Sequence, residues 1–466
     1  MAHHVIIGGG PAATNAIETI RQFGGQSDTI TLVSDEPAHS RMALPYWLAG
    51  AIPREHTHTA DDASYKKLGI DARIGRRVTK IDPQSSSIEV DGGAAKNDTL
   101  KFDNLLIATG ASPVAPPIAG ADLPGVQPLW TLAHTESALR TAEAKKQPRV
   151  VLVGAGFIGF IVLGAIFKRG WQLAVVEREA HVLPRMLDAD SAGLVETWLA
   201  ARKVGVHTGT TVVGITQQKD GAKQVELASG KKLAADLVIL ATGIRPNLDL
   251  IAGTGIATDD GILVNDRMQT NFPHIYAGGD VAQGPVLFGD NPAIHAIQPT
   301  AVDHGRVAGA NMAGQTVHYP GSLLMNVVDV CGLQCASFGN WDDPAAEAIT
   351  IRNPDGFIYR TLLWRDDQPV GAIFTGRAND MGMLTDVGMV KGMLQTQSRL
   401  GPWKEYLREN PFDIRRAYVG AGVPQKLVSA TLLGRPTSNR QYRFGNAPAT
   451  TEVGSSHRVY VASSRQ

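Results

Sequence analysis

Two glycine-rich turns of the same design constrain the fold of this chain more than any other feature. One has the sequence GGGPAA over residues 8–13, and the other has the sequence GAGFIG over residues 154–159. Each turn directly follows a short run of branched apolar residues, 5–7 and 150–153, which is typical of a buried parallel strand. Strand, glycine turn and helix in this order predict a dinucleotide-binding unit, so we expect the chain to hold two dinucleotides.

The glycines of such a turn have separate physical roles. One allows the tight turn, one lets the backbone approach a pyrophosphate, and one lets the helix pack closely on the strand, where Ala13 is small enough to serve. The anion is then bound by unpaired N–H groups at the positive end of the helix dipole. The residues that we expect to bind dinucleotides are Gly8, Gly10, Pro11, Ala12 and Ala13 in the first turn and Gly154, Gly156, Phe157, Ile158 and Gly159 in the second.

An acidic residue at the end of the next strand is expected to accept hydrogen bonds from ribose hydroxyls. After the second turn this residue is Glu177. After the first turn the apolar run 30–33 leads to two candidates, Asp35 and Glu36, of which we favour Glu36. A carboxylate accepts a 2′-hydroxyl and repels a 2′-phosphate, so Glu177 predicts NADH rather than NADPH in the second unit, with Arg178 weakening the repulsion.

Three further apolar runs end in small residues. Such endings place backbone at the carboxyl edge of a parallel sheet, which is where nucleotides bind in open α/β folds. The residues that we expect to contribute in this way are Ala108, Thr109 and Gly110, then Ala241, Thr242 and Gly243, and finally Gly279 and Asp280.

The order of these elements predicts an α/β fold in which one nucleotide-binding domain is inserted in another. The first Rossmann-like domain is then discontinuous, formed by residues 1–112 and 246–318, and the inserted Rossmann-like domain covers 113–245. Alternating strands follow, with a turn between the runs 359–364 and 370–374, so residues 320–424 are expected to form an α+β domain. Residues 425–466 are predicted to be a tail.

That tail carries six Lys or Arg residues against the single Glu452. It is either a solvated tail or a docking arm for an acidic electron-carrier protein.

Composition excludes several classes of function. The chain of 466 residues has 43% hydrophobic residues and a formal net charge of zero, so it has no overall field to attract nucleic acid or an anionic membrane. The first strand begins close to Met1, which leaves no room for a signal peptide and predicts a cytoplasmic location. Residues 150–167 lack charge, but strand, turn and buried helix explain this stretch better than a membrane span does.

The cysteines and histidines do not suggest a thiol or metal site. Cys331 and Cys335 are the only cysteines, and the alternation over 327–335 predicts one strand that holds both, about 13 Å apart and too distant for a disulfide. We therefore interpret them as ordinary buried thiols. The histidines lack a companion set with ligand spacing, so we predict no metal.

With these residues in place, the chain resembles the two-dinucleotide flavoprotein disulfide reductase (pyridine nucleotide-disulfide oxidoreductase) superfamily over about residues 4–420. Within it, the chain is similar to FAD-dependent NAD(P)H oxidoreductases such as rubredoxin and ferredoxin reductases and the flavin portion of nitrite reductase. The resemblance implies FAD at the first turn, NAD(P)H at the second, and Asp280 at the ribityl or pyrophosphate part of FAD. It also implies that Arg41 contacts FAD, and that residues 294–301, with Gln298, Pro299 and Thr300, lie beside the isoalloxazine ring.

Departures from the family pattern narrow the chemistry. Met42 stands where the disulfide reductases and peroxidases of this fold carry a reactive cysteine, and a thioether forms no thiolate. Tyr46 matches the place of a lysine in ferredoxin reductases, and Ile161 that of a glutamate near the nicotinamide. We therefore expect no catalytic side chain, because hydride moves directly between the cofactor rings.

The expected function is transfer of hydride from NADH to FAD, followed by transfer of electrons to a carrier protein such as rubredoxin or ferredoxin. Two alternatives stay open. One is an NADH oxidase that uses oxygen or a small acceptor, and the other is an NADH-binding flavoprotein that acts through a protein partner with little turnover. The resemblance also suggests a homodimer formed through the third domain.

Overall fold

The computed structural model describes residues 1–25, 27–92 and 97–429. Three short 3-10 helices, Arg41–Ala43, Arg54–Thr57 and Asp249–Ile251, interrupt the connections. The strands and helices of the first part of the chain are β1 (His3–Ile7), α1 (Pro11–Gly24), β2 (Thr29–Ser34), α2 (Leu44–Leu48), α3 (Asp62–Leu68), β3 (Asp71–Ile74), β4 (Val78–Asp82), β5 (Ser87–Val90), β6 (Asp98–Lys101), β7 (Asn104–Ile107), β8 (Ala111–Pro113), β9 (Val126–Gln127) and α4 (Leu132–Glu143).

The middle part contains the second glycine turn. Its elements are β10 (Arg149–Val153), α5 (Phe157–Lys168), β11 (Gln172–Val176), α6 (Ala189–Ala201), β12 (Gly205–His207), β13 (Val212–Gln217), β14 (Lys223–Leu227), β15 (Lys232–Ala235), β16 (Leu237–Leu240) and β17 (Ile244–Pro246). The remaining elements are β18 (Ile262–Leu263), β19 (Ile275–Ala277), β20 (Ala282–Gln283), α7 (Gln298–Met312), β21 (Met325–Val330), β22 (Leu333–Gly339), β23 (Glu347–Asn353), β24 (Ile358–Arg365), β25 (Gln368–Arg377), α8 (Met381–Gln395), α9 (Trp403–Glu409), α10 (Ile414–Gly420) and α11 (Val423–Ser429).

Two parallel sheets carry the glycine turns. The first has the order β19-β7-β1-β2-β3 and the second the order β12-β11-β10-β16-β9. In each sheet the strand before the glycine turn lies between two others, and Val5 of β1 pairs with both Thr31 and Leu105. A strand with neighbours on both edges and helices on its faces is buried throughout, which explains why its residues are branched and apolar. The sequence 150–167, which lacks charge, is strand β10, the turn and helix α5, as predicted.

Helix α7 packs directly on α1, the helix that follows the first glycine turn. Glycines make the close approach possible, because a Cβ atom added at Gly305 would lie 2.2 Å from the carbonyl oxygen of Ala12. At Gly309 the added atom would lie 2.6 Å from the carbonyl oxygen of Ala16. Ala13 is fully buried in the hydrophobic core that also contains Ala12 and Ala16. The packing brings the amino-terminal end of α7 next to the first glycine turn.

The last part of the described chain is an antiparallel sheet covered by helices. Its order is β21-β22-β25-β24-β23, and its core is built on Trp364, Phe338 and Phe374. The predicted strands 359–364 and 370–374 lie in β24 and β25, with the turn between them. With two Rossmann-type sheets and a C-terminal α+β part, the predicted fold class is confirmed.

The sheets favour the division into domains that the sequence suggested, and the exact boundaries stay a prediction. Strand β19 joins the first sheet although β10 to β16 intervene along the chain. The two crossings between these sheets, β8 and β17, pair with each other in antiparallel fashion. Helix α11 crosses the predicted start of the basic tail at 425, and residues 430–466 lie outside the described residues. Within the described ranges, no helix is long and apolar enough to cross a membrane.

One local expectation was wrong. Residues 327–335 do not form a single strand, because Cys331 lies in the hairpin turn between β21 and β22 with a φ of 53°. Cys335 lies in β22, fully buried. Both cysteines are free thiols, but only Cys335 is buried as predicted, and Cys331 is half-buried. The alternation of apolar residues is the same on either side of a tight turn, so the pattern alone cannot locate the turn.

Candidate cofactor-binding site

A cleft of about 1870 Å³ runs along the carboxyl edge of the first sheet. Ordinary small-ligand pockets occupy roughly 300–1,000 Å³, so the cleft has room for a ligand the size of a dinucleotide. Most of the predicted residues of the first unit line it. They are Gly8, Gly10, Pro11, Ala12, Asp35, Glu36, Arg41, Ala108, Thr109, Gly110, Gly279, Asp280, Gln298, Pro299 and Thr300.

The predicted residues of the second unit are divided between two places. Phe157 and Ile158, from the first turn of α5, reach the same cleft as the first unit. The others lie together at the carboxyl edge of the second sheet and do not line the cleft. They are Gly154, Gly156, Gly159, Glu177, Ala241, Thr242 and Gly243. Ala13 is buried in the core beneath the turn and does not line the cleft, so its part in cofactor binding stays a prediction.

The first glycine turn has the geometry of an anion cradle. Gly8 has a φ of +104°, and an added Cβ would lie 2.2 Å from the carbonyl oxygen of Ala108. Gly10 precedes α1, and a Cβ atom added there would meet no atom within 4 Å. No side chain caps the helix at Gly10, so its first N–H groups face open space. These features fit a pyrophosphate on the helix terminus.

The structure distinguishes the two acidic candidates of the first unit. Asp35 lies on the surface, where its carboxylate is 2.8 Å from the Arg77 guanidinium. Glu36 turns its Oε2 into the wall of the cleft, where this atom is buried and has no hydrogen-bond partner among the described residues. A buried carboxylate oxygen without a donor is costly unless a ligand supplies one. Glu36, the residue that the sequence favoured, therefore fits the ribose-binding role better than Asp35.

Register explains why the sequence left this choice open. The N–H of Gly8 donates to the carbonyl of Val33, just as the N–H of Gly154 donates to that of Val176. The position equivalent to Glu177 is therefore Ser34, and Glu36 lies two residues further on. The acidic residues Glu36 and Glu177 therefore occupy different positions relative to the strand that precedes them.

Asp280 and Arg41 lie on the wall of the cleft. Burial raises the pKa of the Asp280 carboxyl, and the positive charge of Arg41 opposes that rise. Within the described ranges, the Asp280 side chain has no hydrogen-bond donor. Arg41 donates to the carbonyl oxygen of Trp130 at 2.5 Å and lies 4.9 Å from the centre of the Trp130 ring. A polar chain ligand with hydroxyl groups, such as the ribityl part of FAD, would supply a donor to Asp280.

An apolar wall closes the cleft on the side of the second unit. Phe157, Ile158, Ile161 and Val162, all from α5, face the first unit across the cleft. FAD bound here would supply a ring that accepts a hydride. The chain itself would contribute position and the exclusion of water, because these aliphatic and aromatic side chains offer no proton and no nucleophile.

Glu177 has a second role that the sequence did not reveal. Its side chain is 7% exposed, and its two oxygens accept hydrogen bonds from the backbone N–H of Ala155 at 2.6 Å and of Glu179 at 3.0 Å. The carboxylate thus holds the second glycine turn in shape. Arg178 pairs with Glu179 at 2.9 Å. The interaction of Glu177 with a ribose stays a prediction.

Sequence reasoning missed several residues of the cleft. His39 and His134 line it beside Glu36, and Asp303, Arg306 and Lys391 line it towards the C-terminal sheet. His39 follows Glu36 by three residues, which was a usable signal. The others come from helices α4, α7 and α8, and only the tertiary fold brings them to the cleft.

No redox-active thiol or metal site accompanies the cleft in the part of the chain that the structure describes. Neither Cys331 nor Cys335 lines it, and burial raises the pKa of both thiols to about 12. Met42 and Tyr46 do line it. The described ranges contain no group of three His, Cys, Asp or Glu residues that could hold a metal ion.

Comparison with known proteins gives a consistent picture. An NADH oxidase of Methanocaldococcus jannaschii is 33% identical over 325 residues, which is 68% of this chain and 71% of that protein. Rhodocoxin reductase of Rhodococcus erythropolis is 32% identical over 318 residues, 68% of this chain and 73% of that protein. The chain spans about half (48%) of the length of the assimilatory nitrate reductase electron transfer subunit of Bacillus subtilis, which it also matches.

A solved structure supports the fold. The covalent putidaredoxin reductase–putidaredoxin complex contains a chain that matches with a TM-score of 0.79 at 23% identity, covering 90% of this chain and 99% of that one. The family model described as pyridine nucleotide-disulphide oxidoreductase matches residues 2–305. From the two glycine turns, the shared cleft and these matches we conclude that the chain belongs to the pyridine nucleotide-disulphide oxidoreductase family and is an NAD(P)H-dependent flavoprotein oxidoreductase.

Proposed function

We propose that this enzyme passes electrons from NADH through FAD to a carrier protein of the rubredoxin or ferredoxin type. The observation that carries the proposal is the composition of the cleft wall, which holds Met42 and, among the described residues, no cysteine. Reduction of a disulfide or a peroxide by a thiol relay is therefore not available. Electrons that leave a reduced flavin one at a time need no such relay.

The far end of the cleft supports an acidic carrier. Arg306 of α7 and Lys391 of α8 line it there. Burial raises the pKa of the nearby Asp303 carboxyl, and the positive charges of these two residues oppose that rise. In the described part of the chain, neither cation forms an ion pair within 4 Å. A positive rim attracts an acidic partner at low ionic strength and orients it before contact. The basic tail was the first candidate for this role, and residues 430–466 of it lie outside the described residues.

The names of three similar proteins are relevant to the electron acceptor. Rhodocoxin reductase and the putidaredoxin reductase complex favour a protein acceptor by analogy. The NADH oxidase favours oxygen, and this is the second candidate function. Preference for NADH over NADPH rests on Glu177. A homodimer formed through the C-terminal sheet stays a prediction.

The acceptor is tested with the purified holoenzyme and NADH. We expect reduction of an acidic rubredoxin or ferredoxin to be at least about tenfold faster than consumption of NADH by oxygen alone, and to slow as salt is added. Arg306→Gln should raise the KM for the carrier severalfold and leave the reduction of the enzyme by NADH unchanged. Arg415→Gln, an exposed change on α10, is the matched control. NADH consumption at the full rate with oxygen alone would identify an oxidase instead.

A further inference from the structure

Beside Glu36, the wall of the cleft contains a histidine whose ring has one satisfied and one unsatisfied nitrogen. His39 is 5% exposed, and its Nδ1 lies 2.8 Å from the carbonyl oxygen of Pro37. A carbonyl oxygen only accepts hydrogen bonds, so Nδ1 carries the hydrogen. The neutral ring then presents Nε2 as an acceptor. This Nε2 is buried and has no hydrogen-bond partner among the described residues.

The nearest polar atom does not satisfy it. Nε2 of His39 lies 3.6 Å from Oε2 of Glu36, which is itself buried without a donor. Two acceptors that lie side by side in the wall cannot bond to one another. Each needs a donor, because a buried polar atom without a partner destabilises the folded protein.

The alternative, in which a protonated His39 forms an ion pair with Glu36, is opposed by the surroundings. Burial lowers the pKa of His39, and the positive charge of Arg41 and the neighbouring His58 lower it further, while the Pro37 carbonyl and Glu36 act in the opposite direction. His134, from α4, adds a third buried nitrogen, Nδ1, without a partner in the described ranges. Oε2 of Glu36 and Nε2 of His39 therefore stay without a donor, although the Arg41 guanidinium lies 4.0 Å from Oε1 of Glu36.

We propose that His39 is a second ligand of the adenosine ribose of FAD. Its Nε2 accepts a hydrogen bond from one hydroxyl of the vicinal diol, and the Glu36 carboxylate accepts a hydrogen bond from the other. A vicinal diol supplies two O–H donors that point to adjacent acceptors, which matches the two oriented atoms in the wall. The pyrophosphate would then lie on the first glycine turn and the ribose against residues 36–39. This inference depends on FAD occupying the cleft.

Two substitutions separate the two ring nitrogens. The amide nitrogen of an asparagine can replace Nδ1 and keep the bond to Pro37, so His39→Asn removes only the unpartnered acceptor Nε2. The longer His39→Gln can restore an acceptor near Nε2. His56→Asn, an exposed histidine outside the cleft, is the matched control.

The readout is the Kd of the apoprotein for FAD, measured by flavin fluorescence. We expect His39→Asn to raise the Kd about tenfold, and His39→Gln and His56→Asn to stay within about threefold of the wild type. Two FAD analogues, lacking the 2′- or the 3′-hydroxyl of the adenosine ribose, complete the test. The analogue that lacks the hydroxyl bound by His39 should have the same Kd for the wild type and for His39→Asn.

Three results would overturn the assignment. They are an unchanged Kd of His39→Asn for FAD, an equal penalty with both deoxy analogues, and an equal loss of FMN binding, since FMN has no adenosine. If the wild-type protein itself bound no FAD, the proposed function would fail instead, so the two failures are distinguishable.

Discussion

At the scale of single residues, position relative to the sheet decides what a carboxylate does. Glu36 and Glu177 are both glutamates that follow the second strand of a Rossmann unit. Glu177 stands directly after the strand and holds its own glycine turn through the N–H of Ala155. Glu36 stands two residues further on and is left with an unsatisfied oxygen in the cleft. The same residue type therefore supports the protein in one unit and faces a ligand site in the other.

The first residue-scale prediction concerns the nicotinamide donor. Glu177→Ala should lower kcat/KM for NADH by about tenfold to a hundredfold, because the N–H groups of Ala155 and Glu179 lose their acceptor and a ribose would lose one too. The value for NADPH should fall less, so that the preference for NADH narrows. Steady-state kinetics with both donors measures this, with the exposed Glu409→Ala as control. An unchanged NADH-to-NADPH ratio would show that Glu177 does not select the donor.

The second residue-scale prediction concerns acid stability. His304 is 2% exposed, both ring nitrogens lack partners in the described ranges, and burial lowers its pKa from 6.5 to about 4. Below pH 6.5 this histidine is protonated in the unfolded chain, but in the folded protein it stays neutral until about pH 4. Stability therefore falls as the pH drops through this window, by about 2 kcal/mol at pH 5.

His304→Gln removes this titration. Thermal unfolding of the holoprotein at pH 7.5 and pH 5 should show a smaller drop in Tm for the variant than for the wild type. His56→Gln, an exposed histidine, should behave like the wild type. Equal drops in wild type and His304→Gln would mean that the acid sensitivity arises elsewhere.

At the scale of elements, the contact between α1 and α7 positions the site. It brings Gln298, Pro299 and Thr300 beside the first glycine turn, and it depends on glycines that leave no room for a side chain. The cradle for the nucleotide is therefore as much a product of helix packing as of the turn itself.

Gly305→Ala tests this contact. Its Cβ would lie 2.2 Å from the carbonyl oxygen of Ala12, so the helices must separate, at a cost of about 1–3 kcal/mol or more. We expect a lower Tm. We also expect weaker binding of FAD, measured as the flavin content of the protein after dialysis. Gly388→Ala is the matched control, because it lies exposed in α8 with no atom within 4 Å of the added Cβ. That change should stabilise the protein by up to about 1 kcal/mol. Equal effects of the two changes would contradict the packing argument.

Elements also show what the sequence could and could not predict. Strand, glycine turn and helix are encoded locally, so β1, α1, β10 and α5 were predictable from residue type and order. The hairpin turn at Cys331 was not, since the apolar alternation continues through it. His134 and Lys391 could not be assigned to the cleft, because they come from helices that only the tertiary fold brings together.

At the scale of the whole molecule, the two nucleotide-binding units line one cleft from opposite sides. The first unit supplies the cleft and its polar groups, and the second supplies Phe157, Ile158 and Ile161 on the opposite side. The C-terminal part closes the far end, where Arg306 of α7 and Lys391 of α8 line the cleft. We propose that this geometry brings the two cofactors together for direct transfer of hydride.

Anaerobic mixing of the purified, FAD-loaded protein with NADH tests that claim most directly. We expect a yellow protein whose flavin absorbance bleaches rapidly and completely with about one equivalent of NADH. A protein that does not take up FAD, or one whose flavin stays oxidised in an excess of NADH, would contradict it.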